Sequence, residues 1–218
     1  MTLLTLSMPW PFLAIIFPVC LYAFHLMAQQ DRVILVTSDE WDGRCTSLPP
    51  AIIWVYAAAA GIVLLAPVPA MTRLLSLFFC LFLFRMALTD ALTGLLPREM
   101  TVSCLIAGLT AAFTMHGLVE HLLSATAALV IFGGWRYVTS KLHGRECLGL
   151  GDVWLAGAIG AWLSIHYMLY ALLTGVVLFV LWQLSVRRTT EGGPMGPWLG
   201  AGAMLVTLLK LYHPLITW

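Results

Sequence analysis

Long apolar runs separated by short polar connections occupy almost the whole chain. A helix needs roughly 20 mostly apolar residues to cross a bilayer, and eight runs reach or approach that length. These runs are apolar all round, which is typical of helices surrounded by lipid and by other helices. We therefore predict an all-α fold, a polytopic bundle of about eight transmembrane spans in a single membrane-embedded domain covering residues 1–218. The predicted spans are 8–28, 51–68, 73–92, 101–118, 121–139, 152–165, 167–186 and 196–214.

The longest polar connection covers residues 29–50 and is predicted to be a short polar loop on the cytoplasmic side. Within it, residues 33–36 are apolar and rich in β-branched side chains, so they predict a short strand. The first apolar run has no basic residues before it and no small-residue cleavage site after it. We therefore expect that run to be a retained span and not a cleaved signal peptide.

The composition supports a membrane protein and excludes several classes of partner. Only 10% of the residues are charged and the mean hydropathy is +0.95, whereas soluble domains carry about 25% charged residues. The net charge is +1 and no basic stripe is present, so we expect no nucleic-acid partner. The five cysteines form no Cys-x-x-Cys pair, and the six histidines are scattered singly, so no metal or cofactor is expected.

The basic residues predict the orientation of the bundle. Cytoplasmic loops of membrane proteins carry an excess of Lys and Arg. With the N-terminus outside, the predicted inner segments hold eight of these residues and the outer segments hold two. The inner residues are Arg32, Arg44, Arg98, Arg136, Lys141, Arg145, Arg187 and Arg188, and the outer ones are Arg73 and Lys210. This orientation places Asp90 and Asp152 together at the cytoplasmic face, although neither acid was used to derive it.

Two acids at the edges of apolar runs are the candidates for chemistry. Asp90 ends the third run, where Thr93 and Gly94 suggest a turn. Asp152 begins the sixth run, after Gly149 and Gly151. Glycines permit a positive φ and a close approach of backbone. An ionisable residue at a membrane boundary is costly unless it has a function or a partner. The alternative is that both acids merely end helices, Asp90 solvated by headgroup water and Asp152 acting as an N-cap.

Two carboxyl groups held close together can share a proton. The ionised group then takes a proton from water while the protonated one polarises a peptide carbonyl, as in aspartic proteases. The chain has no Gly-x-Ser-x-Gly and no His-Glu-x-x-His, which argues against a serine hydrolase or zinc protease. A stripe of small residues is expected to let the sixth span pack closely, against the third span. The stripe consists of Gly157, Gly160, Ala161 and Ser164.

Three charged residues near the acids have open roles. Arg85 lies five residues before Asp90, about 7–8 Å along a helix axis and on another side of it, so we expect no direct ion pair between them. Lys141 and Glu146 precede Asp152 in the chain. They either shape the site and contact a substrate or belong to a solvated loop.

Three ordered motifs over roughly residues 80–205 resemble those of the type IV prepilin peptidases, which are membrane aspartic proteases with a Gly-x-Gly-Asp motif. The first is Asp90 followed by Leu96-Pro97 and Thr101. The second covers residues 144–155, with Gly149, Gly151 and Asp152, and continues into residues 160–163. The third is Pro194-Met195-Gly196-Pro197, where the family has Pro-Phe-Gly-Pro at the opening of the last helix.

The resemblance implies an intramembrane aspartic endopeptidase of the bacterial cytoplasmic membrane. It would remove the basic leader of type IV prepilins or pseudopilins at the cytoplasmic face, after a glycine and before the hydrophobic stem. The implied catalytic pair is Asp90 and Asp152, with Gly149 and Gly151 shaping the loop. The implied partners are the prepilin helix and the lipid bilayer. The motif residues with substrate-binding or structural roles are Pro97, Pro194, Gly196 and Pro197.

The chain departs from the family pattern in three places. Long members carry two Cys-x-x-Cys pairs that bind zinc in the loop after the first span, and they also methylate the new N-terminus. Here that loop holds only Cys45, which argues against zinc binding and against methyltransferase activity. Trp154 stands where lysine is usual, and Arg98 where an acid or amide commonly follows Leu-Pro. The short form is similar to the peptidases of type IVb or thin-pilus systems.

Other kinds of protein remain as alternatives to a prepilin peptidase. A small proton-coupled transporter also uses paired membrane acids, but it predicts internal repeats, and none is found in the sequence. A non-enzymatic pilus-assembly scaffold predicts that both acids are replaceable. A closer rival is an enzyme that cleaves other membrane proteins, similar to the preflagellin or presenilin-like proteases.

Overall fold

The computed structural model describes residues 11–37, 49–144, 148–186 and 193–216. In these ranges the chain forms eight α-helices joined by short connections, with no β-strand. The prediction of an all-α protein is therefore confirmed. The helices are α1 (Pro11–Thr37), α2 (Pro50–Leu65), α3 (Ala70–Thr93), α4 (Arg98–Thr114), α5 (Leu118–His143), α6 (Leu150–Trp162), α7 (Ile165–Val186) and α8 (Gly196–Ile216).

Length and composition make three of the described helices able to cross a membrane, namely Ala70–Thr93, Leu118–Leu142 and Ile165–Val186. The helix Pro50–Leu65 is also apolar but shorter. Large apolar side chains, among them Val130 and Phe113, are exposed on the outside of the bundle. A surface of this kind is suited to lipid. The chain is therefore a helical membrane protein, and the crossing of all eight helices stays a prediction.

Proline and glycine set the helix ends near the predicted acids. Pro69 and Pro97 have extended ψ angles and directly precede α3 and α4. Gly94 and Gly144 end α3 and α5 with φ of 70° and 64°, in the left-handed region that glycine enters without strain. The turn predicted at Thr93 and Gly94 is thus present, and it begins three residues after Asp90.

The sequence predicts a loop over residues 29–50, with a strand at 33–36. This prediction is wrong for residues 29–37, including the strand, because they are helical. The helix α1 continues to Thr37. Within it the buried Asp31 accepts two hydrogen bonds from Arg85 of α3, from Nη2 at 2.8 Å and from Nε at 3.3 Å. Because this ion pair gives the acid a partner on a neighbouring helix, the polar residue does not end the helix. The remaining loop residues Asp39, Glu40, Asp42 and Cys45 lie outside the described ranges.

The two glycines of the α6 stripe, Gly157 and Gly160, face α5, so the expected packing against the third span is wrong. A Cβ on Gly157 would lie 2.7 Å from the Leu129 side chain of α5, and one on Gly160 would lie 2.7 Å from the Ser124 carbonyl oxygen. The other main neighbour of α6 is α4, while α8 packs between α7 and α3. Since backbone meets backbone at Gly160, the α5–α6 contact requires the absence of a side chain there.

We expect Gly160→Ala to lower the stability of the protein by roughly 1–3 kcal/mol, because the new Cβ would overlap the α5 backbone, which has little freedom to move. Gly134→Ala in α5 is the matched control, since a Cβ at that glycine meets nothing within 4 Å. Thermal unfolding of both variants in detergent measures the difference. Equal midpoints for the two variants would contradict the proposed close contact.

Candidate active site

The two predicted acids lie at the same end of the bundle. Asp90 is in the last turn of α3 and only 4% exposed, and Asp152 is in the first turn of α6. The negative charge of Asp152 acts electrostatically on the Asp90 carboxyl group. The start of α8 reaches the same place, because Gly196 contacts Asp90. The end of α3 and the beginnings of α6 and α8 therefore form one site.

Asp90 is held by the backbone of α8. The N–H of Gly196, the first residue of that helix, donates a hydrogen bond of 2.8 Å to Asp90 Oδ2. The first N–H groups of a helix lack partners within the helix, and the helix dipole favours an anion there. A Cβ on Gly196 would lie 2.8 Å from the same carboxylate oxygen. The Pro194-Met195-Gly196-Pro197 segment thus reaches the acid through its backbone, and Gly196 leaves the space for it.

Asp152 is held by the backbone that precedes its own helix. The N-cap of α6 is Gly149, so the alternative that Asp152 is the N-cap is wrong. Asp152 is the third residue of the helix, and its carboxylate accepts a hydrogen bond from the Gly149 N–H. A side chain at this third position is well placed to reach back in this way. Each acid is therefore bound by a backbone N–H at the beginning of a helix.

Leu96, in the turn between α3 and α4, fills the space between the two helix beginnings. A Cβ on Gly151 would lie 2.6 Å from Leu96 Cβ, and one on Gly196 would lie 2.7 Å from Leu96 Cδ1. Pro97 follows and precedes the first turn of α4. The first motif therefore does more than supply Asp90: its Leu-Pro turn sets the separation between α6 and α8.

An arginine and a tryptophan meet beside the acids. The guanidinium carbon of Arg98, at the start of α4, lies 5.4 Å from the ring centroid of Trp154, which is in α6. This is the geometry of a cation–π contact. These are two of the three places at which the sequence departs from the pattern of the family that it resembles, and the structure places the two side chains in contact with each other.

Of the two charged residues that precede Asp152 in the chain, Lys141 is described by the structure. The ammonium of the exposed Lys141 lies 5.8 Å from the Tyr137 ring centroid, one turn away on α5. Glu146 lies outside the described ranges. Among the residues that the structure describes, no group of three or more His, Cys, Asp or Glu is arranged to hold a metal ion.

Two arginines near the site have partners that sequence reasoning did not find. Arg85 pairs with Asp31 across α1 and α3, and Arg136 Nη1 donates to the Leu148 carbonyl oxygen at 2.8 Å. The second contact ties α5 to the segment that enters α6. A lone cation in an apolar run signals the need for a partner, but the signal does not say which residue the fold brings to it.

The fold and the site together define an all-helical membrane protein that brings two carboxyl groups from separate helices to one end of its bundle. The sequence profile of the Type IV leader peptidase family matches residues 77–184, a region that contains both acids. A protein of Escherichia coli (strain K12) named "Prepilin leader peptidase/N-methyltransferase" is 32% identical over 201 residues, 84% of this chain and 86% of the relative. The chain belongs to the type IV leader peptidase family, which is a family of proteolytic enzymes.

Two other relatives with the same name are matched over only part of their length. One from Pectobacterium carotovorum subsp. carotovorum is 32% identical over 71% of this chain, and the match spans 57% of the relative. One from Dickeya chrysanthemi is 37% identical over 62% of this chain and 51% of the relative. The chain thus spans little more than half the length of these two proteins. A comparison with the solved structures found no match.

We expect the effects of Gly196→Ala and Asp90→Ala on the free energy of unfolding to be non-additive. The Cβ added by Gly196→Ala would overlap the Asp90 carboxylate, so removing that carboxylate should relieve part of the damage, with a coupling of about 1 kcal/mol or more. Thermal unfolding of the two single variants and the double variant measures the coupling. Gly151→Ala combined with Asp90→Ala is the control, because the Cβ at 151 meets Leu96 and not the acid. Additive effects in the first cycle would contradict the described contact.

Proposed function

We propose that this chain is an intramembrane aspartic endopeptidase that removes the leader peptide of type IV prepilins or pseudopilins, with Asp90 and Asp152 as its catalytic pair. The observation that carries the proposal is the meeting of three helix ends at one end of the bundle, where Gly196 of α8 binds Asp90 and Leu96 lies against both Gly196 and Gly151, next to Asp152. Membership of the leader peptidase family supports the substrate class. The helix-start N–H groups that bind each carboxylate support a fixed geometry for both acids.

The chemistry needs one proton shared between the two carboxyl groups. The ionised acid takes a proton from a water molecule, and the water oxygen attacks the carbon of the scissile carbonyl. The protonated acid donates its proton to the carbonyl oxygen, which gives a tetrahedral intermediate. The carbon–nitrogen bond then breaks, and the leaving amine takes up the proton that came from water. One hydroxyl group of the intermediate returns its proton to the acid that had protonated the carbonyl oxygen, which leaves a carboxylic acid and restores both acids to their starting states. These steps need only the two acids and water.

The substrate enters as an apolar helix from the lipid and has its basic leader in the cytoplasm. The proposed orientation places the acids and most Lys and Arg residues at the cytoplasmic face of the inner membrane, with eight helices crossing it. A helical substrate hides its carbonyl groups in hydrogen bonds, so the segment around the cut must unwind. The cut follows a glycine, at the start of the hydrophobic stem.

The proposal is limited to the peptidase reaction. The curated relatives are named for both leader peptidase and N-methyltransferase activity. Here the connection after the first helix has a single cysteine, Cys45, and no pair of the kind that binds zinc in long family members. We therefore expect a cleaved product with a free α-amino group. Mass spectrometry of the processed pilin distinguishes this product from a methylated one.

We expect Asp90→Asn and Asp152→Asn each to reduce prepilin cleavage by about 10²–10⁴-fold, because each substitution removes one partner of the proton exchange. Cleavage of a co-expressed prepilin is followed by the mobility of the pilin, with the membrane abundance of each variant measured in parallel. Asp31→Asn is the matched control. It changes another buried carboxylate of the bundle, whose partner is Arg85, and it should retain most of the cleavage.

Cleavage that survives either catalytic substitution at normal abundance would overturn the paired-acid mechanism. Pilus assembly that survives loss of both acids would favour a scaffold. Proton uptake into vesicles that depends on both acids, without any cleavage, would favour a transporter.

A further inference from the structure

A second polar site lies at the end of the bundle opposite the acids. A cavity of about 290 Å³ opens between the beginnings of α3 and α5 and the ends of α4, α6 and α8. Most of its wall is apolar, but one cation, one imidazole and several hydroxyl groups line it. These polar lining residues are Thr72, Ser76, His121, Thr207 and Lys210.

An apolar groove lies beside this cavity on the lipid-facing surface, and the two spaces have part of their walls in common. The groove has a volume of about 300 Å³ and runs between α3 and α4. It shares Leu75, Ala111 and Trp162 with the cavity. Its outer wall includes Met71 and Phe78, which are 51% and 56% exposed. Together the two spaces are polar at the end of the bundle and apolar along its side. This distribution is complementary to an amphipathic ligand with a polar head and a hydrocarbon chain.

The side chain of Trp162, which lines both the cavity and the groove, is held in place by its neighbours. The indole N–H of Trp162 donates to the Cys104 carbonyl oxygen at 2.9 Å, and its ring stacks on Phe79 with centroids 5.1 Å apart. A Cβ on Gly108 would lie 2.7 Å from the Trp162 ring, so this glycine leaves the room that the indole needs. The space is therefore built into the native packing, as ligand pockets usually are.

The charges favour an anionic group at the polar end. Lys210 is partly buried, and its ammonium lies 5.4 Å from the ring centroid of Tyr167. His121 is fixed by its Nδ1, which lies 3.0 Å from the Ala161 carbonyl oxygen. Glu120 acts electrostatically on both residues, but it is exposed and does not line the cavity. An exposed carboxylate contributes little to such an ion pair, so the cation that lines the apolar cavity is left to attract an anion there.

We propose that the cavity and the groove bind one phospholipid, with its phosphodiester at Lys210 and the α3 hydroxyl groups and one acyl chain in the groove. The two hydroxyl groups belong to Thr72 and Ser76, one turn apart on α3. Basic pockets between transmembrane helices bind phospholipid headgroups in this way. The site is separate from the acids, and its existence does not depend on the peptidase reaction.

The experiment is native mass spectrometry of the full chain purified from membranes in mild detergent. The wild type should retain one phospholipid per chain, and Lys210→Gln should weaken that binding about tenfold through loss of a charge-assisted hydrogen bond. Ala111→Phe should displace the lipid without changing any charge, because Ala111 lines both the cavity and the groove and the larger side chain would occupy space in them. Lys141→Gln is the matched control: that lysine also lies over a tyrosine ring, but at the other end of α5 and on the surface.

Addition of pure compounds to the delipidated protein identifies the ligand class. Dioleoyl-phosphatidylglycerol should raise the thermal midpoint of the wild type and of Lys141→Gln, and should raise that of Lys210→Gln and Ala111→Phe much less. Monoolein, which has the chain without the phosphate, and inorganic phosphate alone should each have little effect.

Three results would overturn the proposal. The first is equal lipid retention by all four proteins, and the second is absence of retained lipid in the wild type together with no response to phosphatidylglycerol. The third is equal stabilisation by inorganic phosphate alone, which would indicate a site for a free anion.

Discussion

The contact between Asp90 and the first N–H of α8 is the interaction on which the rest of the site depends. It joins the end of α3 to the beginning of a helix that lies more than a hundred positions later in the chain. A carboxylate removed from water needs donors, and the unpaired N–H groups of a helix beginning supply them without another side chain. The same solution recurs at Asp152, whose donor is the Gly149 N–H. The acids are thus held by backbone that side-chain substitution does not remove.

That arrangement requires glycine at specific places. At Gly151 and Gly196 an added Cβ would come closer than 3.0 Å to Leu96, and at Gly196 also to Asp90. At Gly160 the same atom would meet the backbone of α5. These glycines act by leaving out a side chain, and none of the three has a positive φ. Among the described glycines, the positive φ values belong to Gly94 and Gly144, which end helices.

The two ends of the bundle have different chemistry. One end holds the acids, the Arg98–Trp154 contact and, somewhat deeper, the Arg85–Asp31 ion pair. The other holds Lys210 and His121 at a cavity that shares part of its wall with an apolar groove. The helix α3 takes part in both, because it carries Asp90 at its end and Thr72 and Ser76 at its beginning. A ligand bound at the far end therefore contacts the same helix that positions one of the acids.

The sequence alone determined the helical class, the approximate position of all eight helices in the described ranges, and the two acids as candidates. These features follow from local properties, such as the apolar length of a run, a proline before a helix or an acid beside glycines. It also indicated that Arg85 required an explanation. Sequence reasoning failed at residues 29–37, where a polar stretch suggested a loop, because the partner that keeps Asp31 in a helix lies on α3.

Only the tertiary structure decided which elements meet. The small residues of α6 predicted a close helix contact correctly but assigned it to the third span, whereas the fold places α5 there. Likewise, the Pro-Met-Gly-Pro segment was recognisable, yet its hydrogen bond to Asp90 was not. The physical reason is that a glycine indicates a need for space and a charged residue indicates a need for a partner. The partner itself is set by the packing of helices that are far apart in the chain, and no local pattern encodes it.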